Sequence, residues 1–144
     1  MYPRANALGI VIREDSILLE EQKGKHSKGD GYFYRPVGGT IEFGEWSEEA
    51  LVREFREEIG VGIVVKSFMT CIENIYEIGQ RKGHEITQLY MVDLQSKDLY
   101  QKERFTVTEG DKITCAKWIP LEDVYSGEKV VYPVGLAEVL KREV

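Results

Sequence analysis

Apolar and polar positions alternate from the start of the chain. Leu8, Ile10 and Ile12 are spaced by two, the polar run Arg13-Glu14-Asp15-Ser16 follows, and Ile17-Leu18-Leu19 resumes. A period of two broken by turn residues predicts a hairpin over residues 5–22. KGKHSKGDG (residues 23–31) is polar and glycine-rich, a loop by composition. Residues 32–37 read as extended, with Pro36 suited to a strand end. Residues 62–78 read as one long strand or two shorter ones, GQRKG as a turn, and HEITQLYMVDL as a further strand. SKDLYQKERFTVTEGD reads as a loop, ITCAKWIPL as a strand and LEDVYSG as a short helical turn.

The helical period appears twice. Leu51, Val52, Phe55 and Ile59 fall on one stripe of a wheel turning about 100° per residue, which predicts a helix with that stripe in the core. Ser47 is positioned to cap its start and Gly60 to stop it. Val134, Leu136, Val139 and Leu140 give a terminal amphipathic helix, with Lys141 and Arg142 at its negative end. The whole, residues 1–144, reads as one α/β domain with a mixed central sheet and two main helices.

Composition narrows the function. A net charge of −6 without a Lys/Arg block argues against a nucleic-acid polymer as partner. No apolar run is long enough for a membrane span and the N-terminus lacks a signal-peptide layout, so cytoplasm is the expected location. Cys71 and Cys115 stand in apolar segments without metal or disulfide spacing, which predicts buried thiols.

One region departs from this ordinary picture. Glu42, Glu45, Glu48, Glu49, Glu54, Glu57 and Glu58 crowd a glycine-rich turn and the first helix, against Arg53 and Arg56 only. On the wheel, Glu54, Glu57 and Glu58 share a face beside the core stripe, with Ala50 in its middle leaving room for an approaching group. Like charges at three- and four-residue spacing cost roughly 0.2–0.5 kcal/mol per pair when nothing neutralises them. The plain reading is a solvated acidic face with weak ion pairs. Gly38, Gly39 and Gly44 just ahead of the helix favour another, in which the face holds a hard divalent cation that in turn binds an anion. Zinc or copper would call for His or Cys, and neither lies nearby.

The same residues match a family pattern, the Nudix box G-x5-E-x7-R-E-U-x-E-E-x-G-U, where U is a bulky apolar residue. Gly39, Glu45, Arg53, Glu54, Phe55, Glu57, Glu58, Gly60 and Val61 fill every specified position. The chain therefore resembles the Nudix hydrolases over these 23 residues. The resemblance implies an α/β/α sandwich and hydrolysis of a nucleoside diphosphate linked to another moiety, by attack of water on phosphorus. The cofactor implied is magnesium, with manganese as the alternative. Glu54, Glu58 and Glu57 would be metal ligands together with the carbonyl of Gly38, and Arg53 would pair with Glu45 and hold the box in orientation.

The general base is not settled by the box. Glu109, in TVTEGDK, leads the candidates outside it, followed by Glu85, with Glu57 the choice within it. Arg35 and Tyr34, just before the box, are candidates to pair a phosphate and stack on a base, and Glu85 is a further candidate for substrate binding. The partner implied is a small nucleotide derivative: a nucleoside triphosphate, ADP-ribose, a nucleotide sugar or similar. A homodimer is compatible with such a fold, although no seam in the sequence demands one. Two other readings stand beside hydrolysis. A nucleotide-binding sensor would have no chemical need for the complete box, and a diphosphate isomerase would need a protonating Cys/Glu pair that the sequence does not place.

Overall fold

Apolar side chains placed on both faces of the strands decide the architecture, because such strands must be covered on each side. The structure, a computed structural model, describes all residues 1–144. Its elements are β1 (Arg4–Ile10), β2 (Ile12–Arg13), β3 (Ser16–His26), β4 (Gly29–Arg35), β5 (Val37–Thr40), α1 (Ser47–Ile59), β6 (Ile63–Ile78), β7 (Arg81–Leu94), β8 (Arg104–Glu109), β9 (Lys112–Pro120), α2 (Leu121–Tyr125) and α3 (Leu136–Glu143). One sheet runs β5-β1-β7-β6 and is mixed, with β1 parallel to β7 and its other pairs antiparallel. The other runs β2-β3-β9-β8, with β4 also paired to β3, and is antiparallel throughout.

Successive residues of a strand serve opposite faces. Ala7, Leu18, Tyr90, Val92 and Ala116 pack in a cluster with Leu51 and Phe55 of α1. Their neighbours Leu8, Ile17, Leu19 and Leu89 pack in a second cluster with Val124 of α2 and with Leu136, Val139 and Leu140 of α3. The result is the expected α/β/α sandwich, with α1 on one side and the two C-terminal helices on the other.

The Ala5–Gln22 segment is not one hairpin. Ala7 to Val11 are buried without a break, and β1 joins β7 in the mixed sheet, so local pairing is confined to Val11–Arg13 against Ser16–Leu18. Residues 23–31 extend β3 and β4 as far as the His26–Gly29 pair, a polar hairpin end instead of a loop. The segment read as one loop holds a 3-10 turn at Lys97–Gln101 and the whole of β8, which buries Phe105 and Val107 at alternate positions. β6 is a single strand of 16 residues with two irregularities in its pairing. Cys115 is partly buried, but Cys71 is exposed on β6, an edge strand with β7 on one side only.

Helix α1 begins differently from expectation. Ser47 is already its first residue, and its hydroxyl bonds to the Tyr90 hydroxyl instead of capping. The carboxylate of Glu49 does the terminal work, accepting the Trp46 backbone N–H at 2.9 Å. Gly60 ends the helix as predicted, at φ 67°, a left-handed conformation suited to glycine. Leu51 is fully buried in the cluster under α1. Leu51→Ala is expected to cost about 2–5 kcal/mol through the cavity it leaves, measured as a lower urea midpoint with an unchanged slope.

Candidate active site

Arg53 organises the carboxylates around it. Its Nε and Nη2 donate to the two oxygens of Glu45 at 2.7 and 3.0 Å. Its Nη1 donates to Glu54 at 2.7 Å and to Glu57 at 3.1 Å, and Nη2 also reaches the Thr40 carbonyl at 3.0 Å. The forked pairing with Glu45 is the one predicted, and it is a geometry that a lysine cannot supply. Glu45 in turn accepts the Glu42 backbone N–H at 3.0 Å, so one arginine ties the glycine-rich turn to the helix.

The Arg53 hydrogen bonds, followed by the Glu42 N–H, hold the Glu45 carboxyl down to about 2, from an ordinary value of 4.5. A depressed folded-state value stabilises the fold above about 4.5, and that contribution is lost as pH falls through about 2. Glu45→Gln is therefore expected to lower the melting temperature at pH 7. Its deficit against the parent should shrink as pH is taken from 4.5 towards 2, followed by thermal melts in matched buffers.

Glu58 lies on the inner side of the same face and is 5% exposed. Its Oε1 is buried without a hydrogen-bond partner. Desolvation comes first, followed by the nearby carboxylates of Glu54 and Glu109, and together they push its carboxyl up to about 10. Glu54, Glu57, Glu58 and Glu109 line one basin of about 380 Å³, with Gly39, Thr40, Thr108, Gly110 and Arg4. A Cβ at Gly39 would lie 2.6 Å from the Glu54 carboxylate, so a side chain there would displace that carboxylate. Gly38, at φ 152°, sits one residue outside the lining, where a Cβ would meet the Ala7 carbonyl oxygen at 2.1 Å. Ala50 does not border open space; it is fully buried.

A buried orphan oxygen among carboxylates fits a hard divalent cation, and no imidazole or thiol lines the basin to favour a softer one. As the side chains stand, no three acidic groups converge at metal-binding distance. Arg53 holds Glu54 and Glu57, so a cation would compete with it for them.

The remaining candidates divide between this basin and its neighbour, a cavity of about 420 Å³ lined by Arg35 and Glu85 among others. Glu109 reaches the carboxylate basin from the end of β8. Glu85 does not line that basin; it pairs with Arg4 at 3.8 Å on the border between the two. Arg35 lies 3.7 Å from the buried Glu20 and 3.8 Å from Glu109, which brings its guanidinium to the same border. Tyr34 does not line the larger cavity. It is buried in the second core cluster and its hydroxyl donates to Glu21 at 2.8 Å; the adjacent Phe33 is the ring that lines the cavity. Arg4, pinned by Thr40 Oγ1 at 2.9 Å, was not among the sequence candidates. Only its register opposite Glu85 on β7 gives it a place at the border.

The chain and its fold have counterparts among known proteins. The NUDIX domain profile matches residues 3–139. The ADP-ribose pyrophosphatase of Methanocaldococcus jannaschii is 35% identical over 101 residues, which cover 69% of this chain and 56% of that protein. The chain thus spans little more than half the length of that relative. Among solved structures, a MutT NUDIX hydrolase from Burkholderia pseudomallei superposes with a TM-score of 0.69 at 18% identity, covering 100% of both chains. A NUDIX hydrolase from Nitrosomonas europaea does so at 0.69 and 16%, covering 97% of this chain and 87% of the other. Identities this low speak for the fold alone. No helix is long and apolar enough to cross a membrane. The profile match over nearly the full length, with the 35% identical relative beside it, places this chain in the NUDIX domain family.

Proposed function

We propose that this chain is a divalent-metal-dependent pyrophosphohydrolase that cleaves a nucleoside diphosphate linked to another group. The observation that carries the reading is the buried, unpartnered Glu58 oxygen in a basin walled by three further carboxylates. Such a group is costly unless a cation compensates it. Glu54, Glu57 and Glu58 would hold the cation, with the Gly38 carbonyl completing the set. Bound there, magnesium or manganese would offset the charge of the diphosphate and make water easier to deprotonate.

The chain's own groups supply the rest. Arg53, clamped by Glu45, keeps the helix carboxylates in place. Glu109 takes the proton of the attacking water. The water oxygen bonds to phosphorus as the anhydride P–O bond breaks, and the second phosphate leaves with the bond's electrons. Arg35, on the border of the basin, pairs a phosphate oxygen and offsets charge that grows in the transition state.

The first substrate to try is ADP-ribose, from the activity of the 35% identical relative. A panel of ADP-ribose, nucleotide sugars, nucleoside triphosphates and dinucleoside polyphosphates, each with magnesium, manganese or EDTA, tests the reading. Phosphate release after coupling to a phosphatase, abolished by EDTA, is the expected result. Metal-dependent binding without turnover across the panel would turn the reading to a sensor.

A further inference from the structure

The larger cavity has two chemically different ends. At the end bordering the carboxylate basin stand Arg4 with Glu85 and Arg35 with Glu109. One step along the β1–β7 ladder, Asn6 faces Thr87, and both are 1% exposed. The Thr87 hydroxyl donates to Asn6 Oδ1 at 2.6 Å, which turns the Asn6 amide nitrogen towards Glu85 Oε1 at 3.4 Å. The Tyr76 hydroxyl donates to Glu85 Oε2 at 3.0 Å. Glu85 is thus held from two sides, yet each carboxylate oxygen has a second acceptor site to offer. Arg4 does not consume that capacity, because it stands 3.8 Å away and its Nε is given to Thr40.

The far end is aromatic. His26, Phe33 and Tyr132 pack with ring centroids 5.0 to 5.7 Å apart. Phe33 and Arg35 are two residues apart on β4, so they share a face at a spacing of about 7 Å. Leading away from the carboxylate basin, the cavity therefore passes from an end that holds Arg35 and Glu85 to an end made of rings. Covalent order in a nucleotide runs the same way, from diphosphate to pentose to base. The pentose would come to the Glu85 end, and a base would meet the rings.

We infer that Glu85 reads the 2′,3′-diol of a ribonucleotide in this cavity, so that the site takes ribonucleotides in preference to 2′-deoxyribonucleotides. The inference rests on the pyrophosphohydrolase reading for the position of the diphosphate. A carboxylate with unfilled acceptor sites gains a charge-assisted hydrogen bond from each hydroxyl, and a sugar lacking one leaves an acceptor unpaired. Sequence alone offers no such assignment, because Glu85, Asn6 and Tyr76 come from three strands.

Calorimetric titration with α,β-methylene-ADP and its 2′-deoxy counterpart, each with magnesium, tests the inference without cleavage. The parent protein should bind the ribonucleotide about 10- to 100-fold more tightly. In Glu85→Ala the two affinities should come within about twofold of each other, and Glu85→Gln, which keeps one acceptor oxygen, should fall between. A role for Glu85 confined to supporting Arg4 would weaken both ligands together and leave their ratio standing. Equal affinities in the parent protein, no binding of either ligand, or a ratio that survives Glu85→Ala would each overturn the inference. Hydrolysis of ADP-ribose is read separately. Turnover without sugar preference would refute this inference alone, and sugar-selective binding without turnover would refute only the hydrolase reading.

Discussion

Glu58→Gln is expected to lower magnesium-dependent turnover by about a thousandfold, the equivalent of removing roughly 4 kcal/mol of transition-state stabilisation. The metal-free fold should tolerate the change. Burial pushes the Glu58 carboxyl well above the ordinary carboxylate range, which favours its protonated form without metal, and glutamine is a close replacement for that form in shape and charge. The sign of the pH dependence separates this from ordinary damage. A raised folded-state value gives a contribution that is complete below about 4.5 and is lost as pH rises through about 10. Glutamine does not titrate. The metal-free variant should therefore gain on the parent as pH is raised from 4.5 towards 9, followed as the difference in melting temperature in EDTA. Magnesium should then raise the parent's melting temperature and leave that of Glu58→Gln nearly unmoved, because a ligand stabilises only the state that binds it. Full turnover in the variant, or an equal magnesium shift in both proteins, would remove Glu58 from the ligand set.

This behaviour explains how an acidic helix face can be both unfavourable and retained. Arg53 compensates Glu45, Glu54 and Glu57, but it makes no contact with Glu58. The structure therefore leaves the Glu58 carboxyl buried with an unpartnered oxygen, at the position where the proposed cation would have most to gain. Under the proposed function, stability lost there without metal would become binding energy with metal present.

The box was readable because its chemistry is local. Glu54, Glu57 and Glu58 lie within two turns of one helix, so spacing alone puts them on one face, and Glu45 sits eight residues before Arg53 across a single turn. What surrounds the box was less readable, because register assembles it from distant segments. Arg4 meets Glu85 through a parallel pairing that no local signal announces. Strand β8 reads as a loop in the sequence, since its only apolar markers, Phe105 and Val107, are separated by polar threonine and flanked by charge. Tyr34 and Phe33 illustrate a different limit. Adjacent strand residues face opposite ways, and the choice between them depends on a strand phase that Pro36 and the crossing between sheets obscure. A second crossing, at Val11 between β1 and β2, turns an expected N-terminal hairpin into strands of two different sheets.

Glu109→Gln is expected to lower kcat by about 10²–10⁴-fold, the range associated with a positioned general base. Geometry favours Glu109 over its rivals. It lines the same basin as Glu58 from the β8–β9 turn, outside the helix that would hold the cation. Glu57 also lines the basin, but its Oε2 accepts from Arg53 at 3.1 Å. Glu85 lies in the neighbouring cavity, where Tyr76 and Asn6 hold it. Because Glu54, Glu57 and Glu58 remain in Glu109→Gln, magnesium should still raise its melting temperature as in the parent. Loss of turnover with metal binding intact is the signature that separates a base from a ligand. The variant's residual rate should also lose the acidic limb of the pH profile, since no titrating base remains to be protonated. An unchanged rate would return the role to Glu57, and a lost magnesium shift would make Glu109 a ligand. Arg35 complicates the reading, because it stands 3.8 Å from Glu109 and loses a charged neighbour in the variant. Arg35→Gln resolves this. If Glu109 acts through its own proton transfer, the Arg35 variant should weaken substrate binding and slow turnover while keeping the acidic limb.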